Sequence, residues 1–143
     1  MNTDLLLDVR DLSVVFRVGG GLFAPRRELR AVNGVSFGVA RGETLAVVGE
    51  SGSGKSTIAS AVMRLIEPAS GTVLLDGTDI TQFTGQALRR IRPRLQMVFQ
   101  DPYSSLDPSK LIRDVVAEPL VVHRRLAGAA LDARVEQLLE QVG

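Results

Sequence analysis

The chain has 143 residues, 45% of them hydrophobic and 23% charged, with a formal net charge of +1. That size allows one domain with a real core, and the balanced charge gives no overall push toward nucleic acid or an acidic membrane. The absence of cysteine excludes a disulfide framework and a thiolate metal site, and fits a reducing compartment.

Residues 5 to 18 alternate loosely in polarity, with Leu7, Val9, Leu12, Val14, Phe16 and Val18 as the apolar positions, and this pattern predicts a strand or a broken strand. Gly19-Gly20-Gly21 and Pro25-Arg26-Arg27 predict a loop, and residues 29 to 39 a second strand, so the pair is expected to form a long antiparallel hairpin. Arg41-Gly42 turns the chain into an apolar strand, Leu45-Ala46-Val47-Val48, and Ile58 to Leu65 then reads as a helix. Glu67 to Gly71 is a break, after which Thr72 to Leu75 and Thr78 to Ile80 flank Asp76-Gly77 as a hairpin, a favoured turn dipeptide. A short helix is expected around Gln86 to Ile91, stopped near Pro93, followed by a buried strand Leu95 to Phe99. Beyond Gln100-Asp101-Pro102 the pattern is helical. One segment runs from about Leu111 to His123 and contains Pro119; another runs from Asp132 to Val142 with Val135, Leu138, Leu139 and Val142 on one face. No apolar run approaches the roughly 18 residues of a membrane span, and Met1-Asn2-Thr3-Asp4 lacks the basic start of a signal peptide. A soluble, cytoplasmic protein is expected.

The segment between the third predicted strand and its helix carries the chemistry. Gly49-Glu50-Ser51-Gly52-Ser53-Gly54-Lys55-Ser56-Thr57 is a complete phosphate-binding loop in the strand–loop–helix context the motif requires. Its glycines allow the backbone to curl around a phosphate with successive N–H groups aimed inward. The helix adds unpaired amides and a positive dipole end. Lys55 is expected to reach the β- and γ-phosphates, and the Ser56 hydroxyl to ligate Mg²⁺. Only two of the 17 basic residues are lysines, Lys55 and Lys110. The loop position has been spared that bias, as expected if a compact ammonium must fit between phosphates where a planar guanidinium cannot. A glycine-rich turn that merely matches the pattern is the competing reading.

Three features choose among phosphate-loop proteins. Predicted antiparallel sheet precedes the loop, no Asn-Lys-x-Asp segment exists to read guanine, and Val98-Phe99-Gln100-Asp101-Pro102 ends a strand downstream. Here the sequence resembles the nucleotide-binding subunits of ABC transporters. Gly42 to Thr57 resembles their Walker A region and Val98 to Pro102 their Q-loop. Tyr103-Ser104-Ser105-Leu106-Asp107-Pro108 and Ala117-Glu118-Pro119-Leu120 are similar to the oligopeptide/dipeptide branch with its nickel- and glutathione-importing relatives.

The resemblance implies an α/β phosphate-loop NTPase fold with an antiparallel β-subdomain at the N-terminus. Residues 1–100 then belong to the nucleotide-binding core and 101–143 to the start of a helical subdomain. It also implies ATP and Mg²⁺ as ligands. Phe16 matches the aromatic that stacks on adenine, with a core strand Phe as the alternative. Val32 is a weaker candidate beside the base or ribose. Gln100 would offer an oxygen to Mg²⁺ or to the attacking water and couple the site to a membrane partner; a polar strand cap is the alternative. No hydrogen-bonding code for adenine is visible. Residues 100 to 120, with Tyr103, Leu106 and Leu111 as apolar anchors, would dock on a permease. Implied partners are a second ATPase subunit, integral membrane permease subunits and, indirectly, an extracytoplasmic solute-binding protein, with the chain peripheral on the cytoplasmic face of the inner membrane and no nucleic acid bound.

Other groups have plainer readings. Arg89, Arg90, Arg92 and Arg94 form a basic cluster without an aromatic platform, read as a solvated helix end. His123 lacks neighbours with metal-ligand spacing, and Asp76 and Asp79 read as turn and cap residues. The family's signature sequence, Walker B Asp, catalytic Glu and switch His have no counterpart in the sequence, so the chain is expected to match only the N-terminal half of such a subunit. The expected function is the ATP-binding part of an ATPase that powers solute import. A nucleotide-binding module without turnover is the alternative.

Overall fold

A computed structural model describes residues 5–19, 27–101, 106–124 and 126–143. Two compact units divide the chain, residues 1–89 and 90–143, an earlier boundary than the motif-based division after residue 100.

The first unit is built on two long strands, β1 (Leu5–Val18) and β2 (Arg27–Ala40), paired antiparallel from Leu5↔Ala40 to Val18↔Arg27. Most of the loop expected between them lies outside the described residues. β3 (Ser70–Leu75) pairs antiparallel with the other edge of β1, and the two-residue β4 (Thr78–Asp79) pairs with β3, giving the order β2-β1-β3-β4. Helix α1 (Lys55–Val62) packs on β1 and β2. Val9, Leu12, Val14, Val32, Ala61, Val62, Val73 and Ile80 are all buried; of the apolar positions read from the pattern of β1, Val9, Leu12 and Val14 point inward, whereas Leu7 is half-buried and Phe16 and Val18 are exposed.

β1 is a broken strand, as its loose alternation suggested, with register shifts between Val9 and Leu12 and on either side of Val14. Asp11 sits in the left-handed region at φ 48°. A bulge takes backbone amides out of the ladder, and two serines restore their partners. The Asp11 amide donates to Ser36 Oγ at 2.8 Å and the Gly34 amide to Ser13 Oγ at 2.9 Å. Where β1 bulges, β3 comes in close. A Cβ on Gly71 would lie 2.6 Å from the Asp11 carbonyl oxygen and 2.6 Å from Leu12 Cα, at φ +99°. The break expected over residues 67 to 71 therefore ends earlier, and Ser70 and Gly71 already belong to β3.

Asp76 and Gly77 both have positive φ, 53° and 73°, as a type I′ hairpin turn demands. Asp76 also pairs with Arg41. Asp79 accepts the Thr81 amide at 2.8 Å, and the buried Thr81 hydroxyl accepts the Val73 amide at 2.7 Å, so both aspartates have the turn and cap roles read from the sequence. Hydrogen bonds from the Thr81 hydroxyl and amide hold the Asp79 carboxyl below the usual carboxylate range.

Two expected strands do not form. Residues 44 to 49 follow a turn in which the Glu43 amide donates to Ala40 O at 3.2 Å, yet no ladder includes them; Leu45, Val47 and Val48 are exposed. Residues 95 to 99 likewise pair with no strand, and Val98 is 89% exposed rather than buried. Apolar β-formers alone do not make a strand: the conformation is held by a neighbour's backbone groups, and among the described residues neither segment has one.

The second unit begins within α2 (Gly85–Ile91), continues through a 3-10 turn over Arg92–Arg94 and ends in two helices, α3 (Ile112–Arg124) and α4 (Gly128–Glu140). Ala117 and Leu120 pack against Leu131 and Val135, and Arg113 on α3 pairs with Asp132 on α4. α4 starts before the expected Asp132, so Leu131 replaces Leu139 and Val142 as a core residue; Val142 lies beyond the helix and is 83% exposed.

Gly71→Ala should destabilise the first unit by roughly 3 kcal/mol, because the added methyl meets backbone that cannot yield. Gly77→Ala, with open space around it, should cost only about 1 kcal/mol, the strain of a non-glycine residue at positive φ. Urea unfolding followed by far-ultraviolet circular dichroism separates the two. Asp79, with its lowered pKa, contributes stability when ionised, present above its unfolded-state pKa and lost as pH falls through the lower native one. Asp79→Asn should flatten the loss of stability below the usual carboxylate range, read from melting temperature against pH.

Candidate functional site

The loop between residues 49 and 55 is seated on β2. Gly54, at φ +94°, is the N-cap of α1, and a Cβ there would lie 2.5 Å from the Ala31 carbonyl oxygen. Glycine is thus required twice, for the left-handed turn and for the approach to β2. Val32 is buried beside the same contact, which places it in the core under the loop. Gly52 is also left-handed, at φ +83°, in open space, and the Ser53 amide donates to Glu50 O at 3.2 Å. Glu50, Ser51, Gly52 and Ser53 are exposed around the rim.

Lys55 folds back over this ring. Its Nζ donates to Gly49 O at 2.7 Å, Glu50 O at 2.6 Å and Ser53 Oγ at 3.2 Å. The ammonium uses all three of its donors to hold the loop closed and remains at its centre. Ser56 is exposed and Thr57 half-buried on the first turn of α1. That turn has no side-chain cap and no acidic residue, so the amides that a helix start leaves unpaired are not consumed by the protein's own anions. The loop and the start of α1 offer amide donors, the Lys55 ammonium and the exposed Ser56 hydroxyl. Such a donor set suits a polyphosphate, with Ser56 Oγ able to serve a hard cation that it carries.

α1 ends in a Schellman motif that the sequence reading did not include. The Leu65 amide donates to Ser60 O at 2.8 Å and the Arg64 amide to Ala61 O at 3.0 Å, with Arg64 at φ 53° where glycine is usual. Arg64 is 7% exposed and its guanidinium reaches the carbonyls of Ile66 and Phe83, each at 3.4 Å. It anchors the far end of the helix whose near end carries Lys55 and Ser56. No local motif marks such a role, because only the fold brings Phe83 to it.

Phe16 lies near the end of β1, 38% exposed and opposite Leu29, where it lines a recess with Val15, Arg17, Glu28 and Ala69. Leu29 is two residues before Ala31 on β2, so the stretch of β2 that meets the loop is continuous with the stretch that pairs with Phe16 of β1. Gln100 belongs to the second unit and is exposed, and Tyr103 lies outside the described residues. His123 is exposed on α3, and among the described residues no group of three or more His, Asp or Glu could hold a metal. Of the basic cluster, Arg89, Arg90 and Arg94 are exposed and Arg92 is half-buried.

A phosphate loop mounted on an antiparallel sheet defines the class as a phosphate-loop nucleotide-binding protein of the ABC cassette type. The ABC transporter family pattern matches residues 32–143, and the chain belongs to that family. It is 41% identical over 99% of its length to the oligopeptide transport ATP-binding protein AppF of Bacillus subtilis, and 43% identical over 98% to the di/tripeptide transport ATP-binding protein DppF of Pseudomonas aeruginosa. It is 46% identical over 96% to the glutathione import ATP-binding protein GsiA of Escherichia coli. The chain spans 44%, 43% and 22% of those proteins, respectively. Among solved structures it is similar to the dimeric bacterial ABC transporter cassette MJ0796. The TM-score is 0.75 at 25% identity, covering 94% of this chain and 54% of that one, and MJ0796 was also solved bound to ADP and Pi. It is also similar to cbiO1 of Clostridium perfringens, part of the transporter complex cbiONQ, with a TM-score of 0.69, 26% identity and coverage of 96% of this chain and 50% of that one. Among the described residues no helix is long and apolar enough to cross a membrane.

Arg64→Gly and Arg64→Ala both lose the contacts to Ile66 and Phe83, but glycine also relieves the left-handed backbone. The glycine variant should be more stable than the alanine variant by about 1 kcal/mol in urea unfolding.

Proposed function

We propose that this chain is the ATP-binding part of an ATP-hydrolysing subunit that powers import of peptides or similar small solutes through an ABC permease. The observation that carries the nucleotide reading is Lys55, whose ammonium is held at the centre of the loop by Gly49 O, Glu50 O and Ser53 Oγ. Carbonyl partners can be exchanged for phosphate oxygens without moving the lysine far, and charge-assisted bonds to phosphate are the stronger ones. Gly49, Glu50, Ser51, Gly52, Ser53, Gly54 and Thr57 then supply the surrounding cradle, and Phe16 the stacking face for the base. Mg²⁺, when bound with the nucleotide, neutralises charge between the β- and γ-phosphates. Ser56 offers it a hydroxyl, and Gln100 carries an amide oxygen suited to a hard cation or a water.

The ammonium of Lys55 and the loop amides are donors, not proton acceptors for water. Lys55, Ser56 and the amides position the phosphates, whereas hydrolysis also needs a group that orients or deprotonates the attacking water. We therefore assign binding to these residues and turnover to the assembled subunit. The solute class rests on the names of AppF, DppF and GsiA. The same reading makes a second ATPase subunit, permease subunits and, indirectly, an extracytoplasmic solute-binding protein the partners, with the chain peripheral on the cytoplasmic face of the inner membrane. Leu106 and Leu111, 46% and 69% exposed, are the described anchors of a permease-docking segment over residues 100 to 120, the kind of apolar groups that interfaces cover.

Lys55→Ala should weaken binding of a fluorescent ATP analogue at least a hundredfold, since the remaining amides cannot balance a triphosphate. Equal affinity in the two proteins would end the assignment of the loop. Phosphate release by the purified 143-residue chain should stay near the no-enzyme rate, and steady release that Lys55→Ala abolishes would move the water-activating group into this chain.

A further inference from the structure

The 3-10 turn and the two helices of the second unit frame a recess of about 540 Å³, lined only by residues of that unit. Its polar side chains are Arg92, Gln96, His123, Arg124 and Arg134, and its apolar ones include Pro93, Pro119, Leu120 and Leu138. Among the described residues no carboxylate lines it. The acids of α4 lie on another face, where Asp132, Glu136 and Glu140 line a separate groove with Arg113. At 3.6 residues per turn, positions 134 and 138 stand nearly opposite 132, 136 and 140, so the helix sorts its charges by face.

Arg134 donates through Nη1 to Gln137 Oε1 at 3.1 Å, while its buried Nε has no hydrogen-bond partner among the described residues. Nε and Nη2 form the side-on edge of the guanidinium, the fork that matches two oxygens of a carboxylate or phosphate. A buried donor left unpaired is costly, so an anion that supplies the acceptor gains more than an exposed ion pair would. Arg124, exposed at the end of α3, makes no hydrogen bond or ion pair among the described residues. The apolar walls beside these guanidinium groups focus their field into the recess.

We infer that this recess binds an organic anion, with one carboxylate or phosphate head on an apolar body. Arg124 and Arg134 hold the head, while Leu120, Leu138 and the two prolines cover the body. Both the volume and the mixture of apolar wall with a few convergent polar groups are those of small-molecule sites. Inorganic phosphate would leave the apolar wall wet, and a flat bilayer does not fill a concave surface, so the occupant is a small free amphiphile. None of these residues belongs to the phosphate loop, and the site does not depend on nucleotide binding there.

The test is titration of octanoate, octyl phosphate, inorganic phosphate and octylammonium into the isotope-labelled 143-residue chain, with amide shifts read by NMR. Octanoate and octyl phosphate should shift the amides of Gln96, Leu120, His123 and Arg134. Their dissociation constants should be about 1 mM, the scale for ligands of roughly ten heavy atoms. Inorganic phosphate and octylammonium should bind at least tenfold more weakly. Arg134→Gln should weaken octanoate about tenfold and Arg124→Gln about fivefold, the loss of a charge-assisted fork and of a more exposed partner. Arg90→Gln, which removes the same charge from an exposed residue outside the recess, should change nothing. Circular dichroism confirms that each variant is folded; if Arg134→Gln is not, Arg124→Gln carries the comparison. Lys55→Ala should bind octanoate as the wild type does, so a failed phosphate loop leaves this result untouched. Equal affinity for inorganic phosphate and octyl phosphate, or equal losses in Arg90→Gln and in the recess variants, reduces the recess to a diffuse positive patch and overturns the inference. Shifts confined to residues outside the recess overturn it as well. Binding to phosphatidylglycerol vesicles that Arg124→Gln abolishes, with no response to octanoate, gives the face to a membrane surface instead.

Discussion

The contact between Gly54 and the carbonyl of Ala31 ties the chemistry to the scaffold. With a side chain at residue 54 the loop could not approach β2, since a Cβ would lie 2.5 Å from that oxygen. The approach fixes the start of α1, and the start of α1 fixes Lys55 and Ser56. β2 in turn is aligned by its long ladder with β1, which carries Phe16. A single strand therefore sets the loop and the aromatic recess relative to each other, at a spacing of two residues or about 7 Å. Rigid sheet beneath a glycine-rich loop is a sound way to preorganise backbone donors, because the cost of ordering them is met in folding rather than on binding.

The loop solves an electrostatic problem. An ammonium surrounded by amide donors of the same sign would be driven outward without a ligand. Two loop carbonyls and a serine hydroxyl offer it acceptors instead, and the first turn of α1 contains no carboxylate to compete for it. At the other end of the helix Arg64 occupies a left-handed position that costs about 1 kcal/mol for a side-chain residue. A basic residue there faces the negative end of the helix dipole, and its guanidinium satisfies two further carbonyls, so strain at one residue is offset by long-range anchoring.

Residues 44–48 and 95–99 mark the limits of local pattern. Each is a mostly apolar run without a ladder, with Val48 and Val98 almost fully exposed. Isolated strands are not stable in water, and buried parallel strands of this composition rely on neighbours on both sides. The exposed apolar surface and the unpaired backbone are two expressions of the same missing partner strands among the described residues.

The amino-acid sequence by itself determined the features that depend on chain neighbours. Asp76-Gly77 dictates its turn because two successive residues must take positive φ. The phosphate loop is legible because its amides, its lysine and its helix start are contiguous. The long hairpin and the helix after the loop follow from period and composition, whereas the family was recognised from the resemblance of the Lys55 and Gln100 segments to its motifs. What joins residues far apart in the chain was decided only by tertiary structure. Gly71 looked like a linker glycine until β3 closed on the bulge of β1, and Leu131 entered the core because α4 begins a turn earlier than the apolar pattern over Asp132 to Val142 implied. Arg17 and Glu28 became a facing pair through a ladder register set by bulges, and a register shifted by irregular residues cannot be counted off from a sequence.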